Sequence, residues 1–343
     1  MVGDQPVLKF VPEDFVVREN MVVELTPAER AEQHYLLMRK CGFTTMEAVR
    51  LVAAELGLPS TEVTYGGLKD EDGHTEQLVA VPAGTLPLET AAQGWWVAQE
   101  AGRWLELRHY GYGNAPLEVG KLEGNGFRIL VRNLDHETAA RLGARGKVTA
   151  LYLNYYDTQR FGVPNGPKRT HHVGAAILDR RWDDALRELA GLGAPESSGA
   201  GAWTGAPEAY FTRLDPRTTS FYLAAFASDR WNRELSALVE QACPGEHFPV
   251  VVDGITYRYV TSPQAAARVL VQATMLPYDR YSFVDGAPVV RQSQRTTVVQ
   301  TTISVDAPCD DHRFAGRSSL GLRFFLPSGS YATAAVRQVM AYA

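Results

Sequence analysis

Residues 66–77, Gly66-Gly67-Leu68-Lys69-Asp70-Glu71-Asp72-Gly73-His74-Thr75-Glu76-Gln77, hold the densest set of reactive side chains in this 343-residue chain. Three consecutive carboxylates follow a lysine, among three glycines. Glycines let a loop adopt backbone geometries that bulkier residues disfavour, and such loops often display functional side chains. A lysine beside Asp70 favours the ionised carboxylate. Asp70 is therefore the first candidate for acid–base or nucleophilic chemistry. The plain alternative is one half of a surface ion pair.

Other segments offer competing chemistry. His74-Thr75-Glu76 matches half of a zinc-deaminase signature and Pro308-Cys309 begins the other half, but His312 stands where the second cysteine belongs. Such short matches arise often by chance. Gly111-Tyr112-Gly113 gives a G-x-G without the third glycine of a nucleotide-binding loop. A third reading is aspartate chemistry on a nucleobase. Gly124-Asn125-Gly126-Phe127 offers an amide and a ring, and Asn154-Tyr155-Tyr156-Asp157-Thr158-Gln159-Arg160-Phe161-Gly162 offers rings, amides and an arginine. Aromatic faces stack on bases and amides read their polar edges. Rings in such runs are also ordinary core residues.

The elements that must position these residues read as mixed α and β. Lys9–Val17 is an early strand interrupted by a Pro-containing turn. Thr44 and Glu47 form a capping box, Val49, Val52, Ala53 and Leu56 give an apolar stripe, and Gly57 with Pro59 stops the helix. Gln77–Val81, Trp104–His109 and the alternating Phe127–Val131 read as strands. No regular strand–helix–strand rhythm appears. From about Asp179 the texture becomes helical around the stretch Gly191–Pro216, whose Gly, Ala, Ser and Pro content reads as a mobile connection. Phe221–Glu240 is a long helix with Thr219 or Ser220 as its cap, and Ser262-Pro263 opens another. Leu322–Pro327 is a closing strand, followed by a helix over Tyr331–Met340.

Composition fits a globular protein, with 45% hydrophobic and 21% charged residues. No run has the apolar length to span a bilayer, and Met1–Pro6 lacks a signal-peptide core. Three distant cysteines, Cys41, Cys243 and Cys309, fit neither a disulfide framework nor a zinc pair, which makes the cytoplasm the default compartment. A net charge of −5 neither demands nor excludes a nucleic-acid partner, because binding depends on a local basic face. Only six of the 34 cationic residues are lysine. Arginine suits bidentate phosphate contact, and a coding bias toward arginine explains the ratio equally well.

Taken in order, the motifs resemble the TruD family of pseudouridine synthases. The likeness runs through Lys9 with Pro12-Glu13-Asp14-Phe15, the helix capped by Thr44, Gly67-Leu68-Lys69-Asp70 with Thr75-Glu76-Gln77, Arg108-His109, and Gly124-Asn125-Gly126-Phe127. It continues in Asn154-Tyr155 with Gln159-Arg160-Phe161-Gly162 and ends in Leu326-Pro327-Ser328-Gly329-Ser330-Tyr331-Ala332-Thr333. It spans nearly the whole chain and is weakest in the middle.

The resemblance implies an α+β protein of the pseudouridine-synthase fold, a curved, mainly antiparallel mixed sheet flanked by helices, plus a large inserted α/β TRUD-type domain. Residues 1–160 and 318–343 would form the catalytic domain and 161–317 the insertion. Asp70 would be the catalytic aspartate, Phe127 the ring that stacks on the target base, Asn125 its polar neighbour, and Lys9 the cation facing Asp70. Lys69 and Gln77 would support the loop, and Asn154, Gln159, Arg160 and Phe161 would contribute to substrate binding. The implied reaction moves the glycosidic bond of uridine from N1 to C5, needs no metal or organic cofactor, and acts on tRNA with position 13 as the family default.

Two departures concern the substrate. Glu71 and Asp72 stand where a base usually follows the aspartate, and Tyr110–Pro116 replaces a basic cluster. Lost cations weaken phosphate binding, so Arg18, Arg128, Arg132, Arg169 and the inserted domain's arginines become the compensating candidates. The same chemistry on free uridine monophosphate, as in C-nucleoside biosynthesis, is the alternative. A zinc nucleobase deaminase and a catalytically silent RNA-binding protein are the remote ones.

Overall fold

The computed structural model describes residues 5–85, 94–162 and 166–342. The chain forms two compact units, Met1–Thr149 with Thr301–Gly329, and Ala150–Gln300 with Ser330–Ala343. The division implied by the resemblance has different edges: it assigns 150–160 and 330–343 to the first part and 301–317 to the second.

In the first unit a 3₁₀ turn, Pro12–Asp14, leads into β1 (Phe15–Asn20), β2 (Gln33–Cys41) and α1 (Thr45–Leu56). Then come β3 (Thr64–Tyr65), β4 (His74–Pro82), β5 (Trp95–Glu100), β6 (Arg103–Gly113), β7 (Gly124–Leu134), α2 (His136–Gly143) and β8 (Lys147–Leu153), whose residues from Ala150 on belong to the second unit. The second unit holds α3 (Thr170–Leu178), α4 (Trp182–Ala190), α5 (Ser197–Gly201), α6 (Pro207–Arg213) and α7 (Pro216–Ala242). It continues with β9 (His247–Val252), β10 (Ile255–Val260), α8 (Pro263–Gln272), β11 (Met275–Val284) and β12 (Ala287–Thr296). The chain returns through β13 (Val298–Val305), β14 (Cys309–Asp310) and β15 (Ser318–Pro327), and closes with α9 (Ala332–Ala341). The expected early strand starts only at Phe15, because Pro12 opens the 3₁₀ turn.

The main sheet runs β5-β6-β2-β4-β1-β7-β15-β13-β8, with β3 and β14 paired at its margins. β1 and β4 are parallel, whereas β5–β6, β6–β2, β2–β4, β1–β7, β7–β15 and β15–β13 are antiparallel. This is the mixed, mainly antiparallel α+β architecture expected. β4 reads as the unbroken apolar run Leu78-Val79-Ala80-Val81 because both its faces are covered. Val79 and Val81 pack with Val49 and Val52 of α1, and Leu78 and Ala80 pack with Met21, Tyr35 and Leu117. Burying a valine completely, as at Val52, is worth roughly 1.5–3 kcal/mol. β7 instead alternates, with Phe127, Ile129 and Val131 buried and Arg128 exposed.

The second unit is organised around the 27-residue α7. The stretch Gly191–Pro216 is not a mobile connection. It carries α5 and α6, and Ala194, Ala200, Tyr210 and Phe211 pack into a core with Leu189 and Leu223. Its small residues permit close packing: a Cβ on Gly199 would lie 2.7 Å from the Tyr210 hydroxyl. The cap of α7 is Asp215, which accepts from the Arg217 N–H at 2.8 Å. Thr219 and Ser220, the expected caps, lie inside the helix and hydrogen-bond to the Phe211 and Pro216 carbonyls. Among the described residues no helix is long and apolar enough to cross a membrane.

At the start of α1, Thr44 Oγ1 accepts from Glu47 N at 3.2 Å and Glu47 Oε2 accepts from Thr44 N at 2.9 Å. The Thr44→Ala variant should lose about 1 kcal/mol of stability, read as a lowered urea midpoint.

Candidate active site

The Asp70 loop joins β3 to β4, and side chains from three neighbouring elements hold its backbone polar groups. Gln77 Nε2 of β4 donates to the Gly67 carbonyl at 2.9 Å. Thr45 Oγ1 of α1 accepts from Lys69 N at 2.8 Å and donates to Gln77 Oε1 at 3.1 Å. Gln77 thus joins the loop backbone to β4 and, through Thr45, to α1. Gly73 has no room for a side chain, since a Cβ there would lie 2.5 Å from the Phe15 carbonyl oxygen of β1.

The sequence reading missed Lys40. This residue of β2 is fully buried, and its ammonium donates to the carbonyls of Asp70 at 2.7 Å, Phe43 at 2.8 Å and, more weakly, Lys69 at 3.5 Å. Burial lowers its pKa from 10.5 to about 8, and the nearby Asp70 charge opposes that shift. The available signal was the pair Arg39-Lys40 after the apolar run Tyr35-Leu36-Leu37-Met38, which by itself resembles an ordinary strand end.

The Asp70 carboxylate is partly open and pairs with Lys9 Nζ at 2.9 Å. Lys9 has φ +56°, in the left-handed region that costs a side-chain-bearing residue strain and is over-represented at functional sites. Its ammonium also lies 4.1 Å from the centre of the Phe15 ring. Phe15 meets Phe127 edge-on at 6.0 Å, and Phe127 stacks on Phe324 of β15 at 5.4 Å. Asn125 lies two residues before Phe127, on the same face of β7. Its buried Oδ1 has no hydrogen-bond partner, which leaves an acceptor for a ligand. The first unit therefore links Asp70 to Lys9, Phe15 and Phe127.

Lys69 does not pair with Asp70. Its ammonium lies 2.5 Å from Glu19 Oε2, and both side chains are almost fully buried. Glu19 Oε1 also accepts from Leu78 N at 3.3 Å, so this pair ties the loop to β1 and β4. Lys9, sixty-one residues from Asp70, supplies the charge expected of its sequence neighbour.

In the second unit the expected binding residues have interior roles. Asn154 is buried, donates to Thr296, and accepts from Arg295 Nη2 at 2.9 Å. Arg295, also missed, lies 4.0 Å from the centre of the Tyr156 ring. Phe161 is fully buried in the core around α7, which leaves no open face for a base. Arg160 donates to Ser228 Oγ at 3.2 Å and lies near Tyr156 and Phe221. Gln159 is half-buried beside them in the 3₁₀ turn Thr158–Phe161.

The arginines differ in availability. Arg18, Glu76, Arg39, Glu106 and Arg108 form a ladder across β1, β4, β2 and β6, with successive separations of 3.9, 3.6, 2.8 and 2.7 Å. Arg132 is committed to Asp14 and Asp311 at 2.7 and 3.1 Å. Arg128 and Arg169 are exposed. In the second unit Lys168, Arg169, His171 and Arg233 line an open cleft that also contains Asp229 and Glu240. His109 contacts His34 at 2.9 Å, and His74 faces Glu13 at 3.7 Å. Among the described residues no three His, Cys, Asp or Glu side chains converge as a metal site.

A family model described as tRNA pseudouridine synthase D (TruD) matches residues 2–217. The tRNA pseudouridine synthase D of Geotalea daltonii is 25% identical, covering 98% of this chain and 97% of that protein. The same-named protein of Geobacter sulfurreducens is 26% identical, covering 98% and 94% respectively. A crystal structure of a putative tRNA pseudouridine synthase D from Methanosarcina mazei superposes with a TM-score of 0.56 at 18% identity. It covers 97% of this chain and 93% of that one.

The buried Lys69–Glu19 pair generates a stability test. Lys69→Met strands a carboxylate in the interior and should cost on the order of 3–5 kcal/mol in chemical denaturation. The double variant Lys69→Met with Glu19→Gln should recover much of that loss.

Proposed function

The chain belongs to the TruD family of tRNA pseudouridine synthases, and we propose that it isomerises a uridine in tRNA, at the family's position 13, with Asp70 as the catalytic carboxylate. The enzyme is an isomerase. The N1–C1′ bond breaks, the uracil turns, C5 joins C1′, and the proton lost from C5 is balanced by one gained at N1. Asp70 acts either as a nucleophile toward sugar or base, or as the base that removes a proton at C2′ toward a glycal. With tRNA as substrate, the reaction belongs to the cytoplasm.

The observation that carries this reading is the 2.9 Å ion pair between Lys9 and Asp70 on a loop anchored through its own carbonyls. Lys9 keeps the carboxylate oriented, and the Phe15 ring beneath the ammonium limits where it can move. Phe127, backed by Phe324, is the ring against which uracil stacks. Asn125 Oδ1 accepts from the uracil N3–H, which supplies its missing partner. Arg128 and Arg169, both exposed, are the phosphate contacts, because Arg132 is committed to Asp14 and Asp311.

One observation favours a second substrate, a free uridine nucleotide. Glu71 and Asp72 place acids beside Asp70, where a polyanion would be repelled, and a monophosphate presents less charge to repel.

The test offers purified protein unmodified tRNA and uridine monophosphate, with pseudouridine detected by mass spectrometry after digestion. Product from tRNA is expected, and Asp70→Asn should lower the rate by about 10²–10⁴-fold or more. Product from the monophosphate alone would replace the tRNA reading with the second one. Stoichiometric zinc in pure protein, or an Asp70→Asn variant of full activity, would overturn both.

A further inference from the structure

We propose that Lys40 is a positioning residue for Asp70, its buried ammonium locking the catalytic loop through the carbonyls of Asp70, Phe43 and Lys69. This rests on the reading of Asp70 as the catalytic carboxylate. Lys40 does not touch the Asp70 carboxylate through its hydrogen bonds. It grips the backbone of the same residue at 2.7 Å, and so fixes the Cα from which that carboxylate projects.

Each ammonium donor has a carbonyl within reach, two at 2.7 and 2.8 Å and the third, more weakly, at 3.5 Å. Three N–H donors face three carbonyl oxygens in a site with no exposure to water. A neutral amine has two donors and a lone pair, so one carbonyl would lose its partner and face a like dipole. A methylene end would leave all three carbonyls without this donor, at a cost typical of stranded buried groups. A displacement of about 1 Å at a reacting group costs about 10²-fold in rate.

The charged and titratable groups near Lys40 are Asp70, Glu71 and Lys69 of the loop and Cys41 of its own strand. Thr75 and Leu105 occupy the paired positions on β4 and β6 and carry no charge. Burial, opposed by Asp70, lowers the ammonium's pKa to about 8, so the third donor is lost as pH rises through that value. Stability responds with the opposite sign. An unfolded lysine keeps its proton up to about 10.5, so between about 8 and 10.5 the unfolded chain binds more protons and this group's contribution to stability rises with pH. A fall in activity over that interval therefore cannot arise from unfolding driven by Lys40.

The experiment measures kcat and KM of the full chain from pH 6.5 to 9.5 on whichever uridine substrate turns over, with thermal melts at each pH. Wild type should lose kcat about tenfold per pH unit above about 8, with KM unchanged and the fold intact. Lys40→Arg keeps its charge throughout and should abolish that limb, whereas a limb caused by substrate ionisation would stay in place. Lys40→Met should lower kcat about 10²-fold at pH 7 with little change in KM. A flat wild-type profile, a limb that persists in Lys40→Arg, or a folded Lys40→Met variant within threefold of wild type would overturn the proposal. If one variant fails to fold, the other decides; if both fail, a wild-type limb whose midpoint coincides with the N3–H ionisation of the free uridine substrate, titrated separately, overturns the proposal. Absence of pseudouridine from wild type at every pH would instead remove the catalytic reading on which the proposal rests.

Discussion

A cation buried without a carboxylate in hydrogen-bond contact is the constraint around which the first unit is arranged. Removing an ammonium from water is costly unless hydrogen bonds replace its hydration. At Lys40 the replacements are backbone carbonyls, and these lie on two segments, the approach to α1 at Phe43 and the loop at Lys69 and Asp70. The end of β2, the start of α1 and the candidate catalytic loop must therefore meet at one point. Thr44, which caps α1, and Thr45, which binds Lys69 N, follow Phe43 directly. The capping box thus aligns the helix start with the loop that the helix helps to hold.

The sheet supplies the other half of the positioning. β1 lies parallel to β4 on one side and antiparallel to β7 on the other, which places Phe15 and Phe127 close enough for edge contact. The close approach of Gly73 to Phe15 draws the loop's exit toward the same strand. Lys9 reaches Asp70 from before β1 at the cost of a left-handed backbone. The arrangement resembles strain held at a working site by well-satisfied surroundings.

Local chemistry made much of this legible in the sequence. The capping box, the two-sided β4 run and the alternation of β7 depend on neighbours within a few residues, and each formed where its pattern lay. Contacts that local sequence did not announce share a different cause. Lys69 adjoins Asp70 in sequence, yet successive side chains need not point the same way, and it found the buried Glu19. Asn154 and Phe161 belong to recognisable motifs, but their partners Arg295 and the α7 core lie far along the chain. The stretch Gly191–Pro216 looked loose because small residues mark loops and also permit close helix packing. Nothing in the sequence pairs Lys40 with carbonyls thirty residues away.

The same distinction governs substrate recognition. Counting arginines overstates the positive field, because carboxylates already interrupt the ladder from Arg18 to Arg108 and Arg132 is spent on Asp14 and Asp311. An arginine held by a carboxylate retains donors but contributes little net attraction to a distant polyanion. Arg128 differs. It lies exposed, directly opposite Arg323, whose charge is answered by Asp306. Arg128 is also the residue after Phe127, on the opposite face of β7. Phosphate attraction in this unit therefore rests on few residues, while the chemistry rests on many. On the proposed reading of Asp70, that imbalance separates the chemistry, which would rest on a well-packed loop, from substrate choice, which would rest on a sparse set of exposed charges.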